Sequence, residues 1–600
     1  MKAKSSVSRR TFLQSAATMG AAGVLSPIVC SASDATPSAT QELPGDASNV
    51  SSSARGWTIP RPMFWSFDNH DPRINMAGLS LSFQIFTSGP NENTYSISAK
   101  NTVAKQEGNR WTVDAAELSW PGQQMTAPGT FHAEAVRVGE TVTVRVEATA
   151  QEPIHAIKMM IHGLPAGAVA QSGWQVTPTF EPVTKEAILH CYPTYNAGMP
   201  VWFLGRDEMG ISFSSLDTTL ASKRFCAVLR DDGVQVQLIV EPEAQKIGMR
   251  FSAPLWKITA GTTLERAIQE RAQLLEESAG LKAWDVRTDV APWVRKISLV
   301  VTLHGMHWSG FIFNDYPKMS QIVNWVTDRI PGERVLFFLA GWEGRYYRQY
   351  GDSKPNDRMG GEDGLRRLVQ CIHSRGAHVM AMFAGNSAGP TTPGLPELIR
   401  NSSFHALPGP LKYDVTRGYK VDWAEIRAGA GGAGGWLNPG ASGWRDHLTQ
   451  QINGLNERFD FDGNFFDTQP NTENDLKNNP LQGLRTLSES LREKRPGLLL
   501  ATESWFDLSL GIIPCSQTLD GPGRWSAKYQ RRFAHVALGE PSRGSTGVHE
   551  VGHVDYDLKD LLKTFDWPTL AVVDGTIDVA PGKAEAVIAA AKMKRGGLGG

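Results

Sequence analysis

The chain has 600 residues, beyond the size to which one hydrophobic core keeps growing, so two or more domains are expected. Its 60 basic and 61 acidic residues are mixed along the chain and leave a formal net charge of -1, which excludes a basic nucleic-acid face and an acidic tail. The 18 tryptophans outnumber the 11 tyrosines, and a flat ring with one N–H is best used in a packed core or against the face of a sugar.

The chain begins MKAKSSVSRRTFLQSAATMGAAGVLSPIVC, a basic start followed by Ser8-Arg9-Arg10-Thr11-Phe12-Leu13 and a short Ala/Gly-rich stretch. This resembles a twin-arginine signal, an address read by the export machinery. The apolar part, about 16 residues, falls short of the roughly 20 that span a bilayer. Residues 1–32 are therefore expected to be a signal cleaved near Ser31-Ala32-Ser33, leaving a periplasmic or extracellular protein with no membrane contact. Residues 33–56, rich in Ser, Ala, Pro and Thr, read as a disordered linker. Beyond Cys30, the cysteines at 191, 226, 371 and 515 lie too far apart for a zinc ribbon or a redox CxxC. Neither a cofactor nor a resident metal is expected.

Residues 57–261 repeat short β-rich runs broken by turns. TVTVRVEA (141–148) alternates strictly, and DDG before VQVQLIV marks a hairpin. Strands at this spacing predict an N-terminal antiparallel β-sandwich, the all-β part of the chain. Residues 262–293 read as a helical connector, with Leu264, Ile268, Ala272 and Leu275 on one stripe.

Residues 294–600 change rhythm to strand, loop, helix. RKISLVVTLHG, RVLFFLAGW, AHVMAMFAGN, FDGNFFDTQ and GLLLATESW are near-continuous apolar runs, the mark of strands buried on both faces. Repeated βα units predict an α/β fold, a (β/α)8 TIM barrel, whose last strands fall near 515–521, 532–538 and 568–575. No glycine-rich phosphate fingerprint follows any of these strands, which weighs against a dinucleotide fold.

In a barrel, the C-terminal strand ends carry the chemistry. Here those ends bear His304 and His307, Trp342 with Glu343, Asn386, Asp467, Glu503 with Trp505, Asp520 and Asp574. Asp467 and Glu503 each close an apolar strand, the fourth and the fifth, and neighbouring strands can hold two carboxylates at the roughly 5 to 5.5 Å of a retaining glycosidase. One attacks the sugar while the other, its pKa raised, protonates the leaving oxygen. The plainer reading of Asp467 is a turn residue opening DTQPNTEND. Asp460 and Asp462 stand at the strand's beginning, as solvated or capping acids.

Trp342, Trp436 and Trp505 are candidate stacking platforms, whereas Trp444 opens a helix and suits packing. Glu343 could bind a hydroxyl or pair with Arg345. HEVGH formally matches a zinc-protease motif through His549, Glu550 and His553, but its glycine and loop-like context point to a chance match. Sugar binding is a better use for His304.

The run GWLNPGASGWRDHLTQQINGLNERFDFDGNFFDTQ, followed by ATESW, resembles the clan of retaining α-glycosidases that includes the α-amylase, α-galactosidase and endo-α-N-acetylgalactosaminidase families, and bacterial exported proteins similar to them. The resemblance implies Asp467 as nucleophile, Glu503 as acid/base and an α-linked substrate. Phe465 stands where those families place an arginine or lysine, and a third acid falls among Asp520, Asp555 and Asp574. The expectation is thus a glycosidase with a carbohydrate substrate and no nucleic-acid partner. A non-catalytic carbohydrate-binding protein and a metallohydrolase are its rivals.

Overall fold

In a computed structural model of the protein, the described residues are 51–52, 57–58, 71–87, 93–173, 181–193, 197–206, 209–306, 310–344, 349–405, 413–414, 419–420, 435–467, 472, 474–503, 506–516, 535–536, 569–572 and 581–593. The leader at 1–32 and Trp505, Asp520, Asp574, His307, Arg345 and the HEVGH segment lie outside them. Among the described residues no helix is long and apolar enough to cross a membrane.

The N-terminal half is one hydrogen-bonded antiparallel network of sixteen strands. Its spine is Thr141–Leu164, whose first half pairs with Thr126–Val138 and Trp256–Thr262 and whose second half pairs with Leu79–Thr87 and Gly233–Val240. The alternation read from TVTVRVEA holds: Val142, Val144 and Val146 are buried while Arg145 is exposed. The helix Leu264–Ser278 follows, capped by the Thr263 hydroxyl, which accepts from the Arg266 amide at 3.2 Å. Its stripe of Leu264, Ile268, Ala272 and Leu275 is buried as the periodicity implies.

The C-terminal half is a curled parallel sheet of eight strands. In chain order they are Leu299–His304, Val335–Ala340, His378–Ala384, Gly463–Asp467, Leu499–Thr502, Cys515–Ser516, His535–Val536 and Thr569–Val572. The first seven pair successively, and the eighth returns to the free edge of the first. The first and second strands are buried at every residue, which explains their unbroken apolar sequence. Truncating a core ring such as Phe338 there would cost about 3–5 kcal/mol.

The helices between strands begin where local chemistry starts them. Asp315 accepts the Lys318 amide at 2.8 Å ahead of Tyr316–Thr327, and Asn479 accepts the Gln482 amide at 3.1 Å ahead of Pro480–Lys494. Ser442–Phe459 ends at Asp460, whose φ of 63° is the left-handed C-terminal cap. Asp460 is thus a capping residue. Asp462 is more engaged than a solvated acid: it accepts from His373 Nε2 and from the Val379 amide, both at 2.9 Å.

Candidate active site

The direction of the fourth strand follows from Asn464, whose amide exchanges hydrogen bonds of 3.1 and 3.0 Å with Asn456 on the helix Ser442–Phe459. Asn464 therefore faces the helix layer, and strand alternation turns Phe465 and Asp467 to the opposite, inner side. Phe465 meets Phe338 of the second strand there, with ring centroids 4.8 Å apart. On the fifth strand Ala501 lies in register with Phe465, so Glu503, two residues on, shares the inner side with Asp467. The Glu503 amide donates to the Phe466 carbonyl at 3.1 Å, continuing the ladder to the level of Asp467. The two carboxylates thus close neighbouring strands, side by side, and both are buried.

The loop after the second strand reaches Asp467. Gly341 turns the chain at a φ of 64°, and Trp342 and Glu343 follow. Glu343 is fully buried, and among the described residues no other residue gives either carboxyl oxygen a hydrogen bond. Burial, the largest effect, and the charge of Asp467 push its carboxyl up to about 8, against a smaller lowering from backbone hydrogen bonding. Glu343 is therefore a neutral acid near pH 7, close enough to Asp467 to feel its charge.

Further along the loop Tyr350 donates its hydroxyl to Asp467 Oδ2. Its carbonyl accepts the Gly389 amide at 2.7 Å and the Thr392 hydroxyl at 2.6 Å, so loops after the second and third strands fix one tyrosine. Gly351 permits this approach. Its φ is 81°, and a Cβ there would meet Thr392 Oγ1 at 2.7 Å and Trp444 at 3.2 Å. Tyr350 escaped the sequence reading, and its only signal was the tyrosine-rich GRYYRQY after the second strand.

The remaining candidates divide. His304 ends the first strand, buried, on the inner face shared with Ala340, and its ring meets the edge of Phe313 at 4.7 Å. Asn386 and Trp436 are buried together at the rim: Ser387 pairs with Trp436, and the Asn386 carbonyl accepts the Leu437 amide at 2.7 Å. Trp342 is committed elsewhere. Its indole N–H donates to the Met382 carbonyl at 2.9 Å and its ring packs on Phe383 and Phe461, so the structure places it in packing rather than at the substrate face expected for it. Trp444 also packs, donating to the Gly385 carbonyl at 3.1 Å.

The loop beyond Asp467 is moored to the antiparallel sheet. Asn474 Nδ2 donates to Glu241 Oε2 and to the Pro242 carbonyl, both at 2.8 Å, and its Oδ1 accepts the Ala244 amide at 2.9 Å. Glu241 in turn pairs with Arg224 inside the sheet. Asp475 gathers the His405, Lys477 and Asn478 amides at 2.6 to 2.8 Å and fixes the loop's course. Among the described residues no group of three or more His, Cys, Asp or Glu could hold a metal ion.

No family model matches the chain. No curated protein matches it in sequence. Solved structures do share its fold. The α-N-acetylgalactosaminidase NagBb from Bifidobacterium bifidum in complex with GalNAc aligns over 87% of this chain and 93% of that one, at 12% identity and a TM-score of 0.61. The ligand-free form of that enzyme gives a TM-score of 0.58 at the same identity. The GH36 α-galactosidase AgaA from Geobacillus stearothermophilus covers 86% of this chain at a TM-score of 0.46, a likeness too loose to argue from. The chain therefore shares the overall fold of the solved NagBb structures.

Proposed function

We propose that the chain is an exported retaining glycoside hydrolase acting on an α-linked sugar, with its parallel sheet closing as a (β/α)8 barrel beside an antiparallel sandwich. The observation that carries this is the pair Asp467 and Glu503, buried side by side on the inner ends of neighbouring strands. Adjacent strands run about 4.8 Å apart, close to the roughly 5 to 5.5 Å a double displacement requires. Asp467 attacks the anomeric carbon while Glu503 gives its proton to the departing oxygen. Water then attacks the glycosyl-enzyme bond as Glu503 takes a proton from it, and Asp467 leaves.

Tyr350 holds Asp467 in its attacking orientation. Glu343, protonated near pH 7, donates a hydrogen bond to a sugar hydroxyl and leaves Asp467 the nearby charge. His304, Asn386 and Trp436 line the inner rim as substrate contacts. The likeness to an α-N-acetylgalactosaminidase favours the α-linkage and makes α-GalNAc the first sugar to try. The twin-arginine leader delivers the protein to the periplasm or the exterior.

The test is turnover of aryl α-glycosides by Asp467→Asn and Glu503→Gln, with folding checked by circular dichroism. Each should lose about a thousandfold or more in kcat, and azide should restore part of the loss in Glu503→Gln. Undiminished turnover in both variants sinks the assignment. Sugar binding without hydrolysis by the wild type makes the protein a binding module instead.

A further inference from the structure

The stretch carrying Glu503 is held on both sides, and the far hold is made by the antiparallel sheet and the connector helix. On the near side its amide is fixed to the Phe466 carbonyl at 3.1 Å. Just beyond, Phe506 is buried among Met199, Phe203, Leu264 and Ile268, and the Asp507 amide donates to the Gly198 carbonyl at 2.7 Å. The Asp507 carboxylate is wholly buried and held from several sides: Tyr192 donates its hydroxyl and Leu508 its amide to Oδ1, both at 2.8 Å, and Arg271 Nε donates to Oδ2 at 2.8 Å. Arg271 Nη1 runs on to the Ser215 and Asp217 carbonyls at 3.1 and 2.5 Å.

A buried ion pair is a poor source of stability, because desolvating both charges offsets their attraction. What this one adds is geometry. Tyr192 closes an antiparallel strand, Arg271 lies on the helix Leu264–Ser278, and Asp507 follows the fifth parallel strand. Three otherwise separate pieces meet on one carboxylate. The step from Glu503 to Phe506 reaches at most about 11 Å of chain. A displacement at Asp507 therefore has only a short path along the chain to the acid.

We propose that Asp507, clamped by Tyr192 and Arg271, is a positioning residue for Glu503, so that the antiparallel half sets the aim of the proton donor. The inference rests on the glycosidase reading above, and it predicts a selective defect. A misplaced acid harms substrates whose leaving group needs a proton and spares those whose leaving group does not.

The experiment measures kcat/KM, which reports the first bond cleavage, for phenyl α-GalNAc and α-GalNAc fluoride on the full-length protein. The phenolate needs a proton and the fluoride needs little help. Glu503→Gln calibrates the assay: selective loss on the phenyl glycoside upholds Glu503 as the acid, and equal or no loss removes that role together with the inference. With the calibration met, Asp507→Asn should lose about tenfold or more on the phenyl glycoside while staying within about twofold on the fluoride. Tyr192→Phe, which deletes one hydroxyl and leaves the Arg271 pair intact, should show the same selectivity at smaller size, and it decides the matter if Asp507→Asn does not fold. Equal losses on both substrates, or none in either variant, overturn the proposal while leaving the glycosidase reading in place.

Discussion

Glu343 trades stability for a proton. Its folded pKa of about 8 lies above the 4.5 of a free glutamate, so between those values the folded protein binds a proton that the unfolded chain has released. Stability then falls as pH rises through that window. Glu343→Gln removes the penalty, and its melting temperature should exceed the wild type's at pH 7.5 by the equivalent of about 4 kcal/mol. Below about pH 4.5 the two should converge. Activity shows the other side: wild-type kcat/KM should fall above about pH 8 as Glu343 ionises beside Asp467, and the glutamine variant should lack that limb. Tyr350→Phe should lower kcat about tenfold or more with little change in melting temperature, because it frees the attacking carboxylate without opening a cavity. Glu343 was legible at the end of an apolar strand; Tyr350 was not, because it stands in the loop beyond the second strand, 117 positions from the Asp467 it serves.

At the level of elements, the strands of the parallel sheet were legible where they are long. VLFFLA and GNFFD are wrapped on both sides by other elements, and only such burial produces unbroken apolar runs. The sixth and seventh strands, Cys515–Ser516 and His535–Val536, fall within the stretches 515–521 and 532–538 expected for them, but with two paired residues each they are too short for a periodicity to fix their bounds. Trp342 misled for a related reason, since a position at a strand's end does not say to which side of the sheet the ring turns. Asp462 at the other end of the fourth strand is a staple. Its hydrogen bond with His373 Nε2 raises the histidine's pKa above the ordinary value; burial pushes the aspartate's own pKa up, but the contacts with His373, His378 and the Val379 amide together outweigh it and hold the carboxyl well below the carboxylate range. The histidine's contribution is complete below about pH 6.5 and is lost as pH rises through its raised value; the aspartate's is present above about pH 4 and is lost on acidification. His373→Gln should therefore destabilise by about 1 kcal/mol at pH 6, and by less at pH 9, in urea melts.

For the whole molecule, the contacts that join the two sheets lie beyond any reading of local sequence. Asn474 meets Ala244 across 230 positions and Asp507 meets Tyr192 across 315, and no periodicity couples residues so far apart. Asn474→Ala should raise KM more than it lowers kcat, because it loosens the loop beyond the nucleophile without touching the reacting pair. The antiparallel half in turn depends on one strand. Thr141–Leu164 pairs over most of its 24 residues, with Leu79–Thr87 and Gly233–Val240 bracketing its second half. Each of those neighbours is itself paired on its far side, Leu79–Thr87 with Ile74–Met76 and Thr94–Ile97, and Gly233–Val240 with Lys223–Arg230, so neither is an edge free to fray. In deuterated solvent, the backbone amides of residues 154–161 should therefore be among the last to exchange, at rates set by opening of the entire half rather than by fraying at its edges.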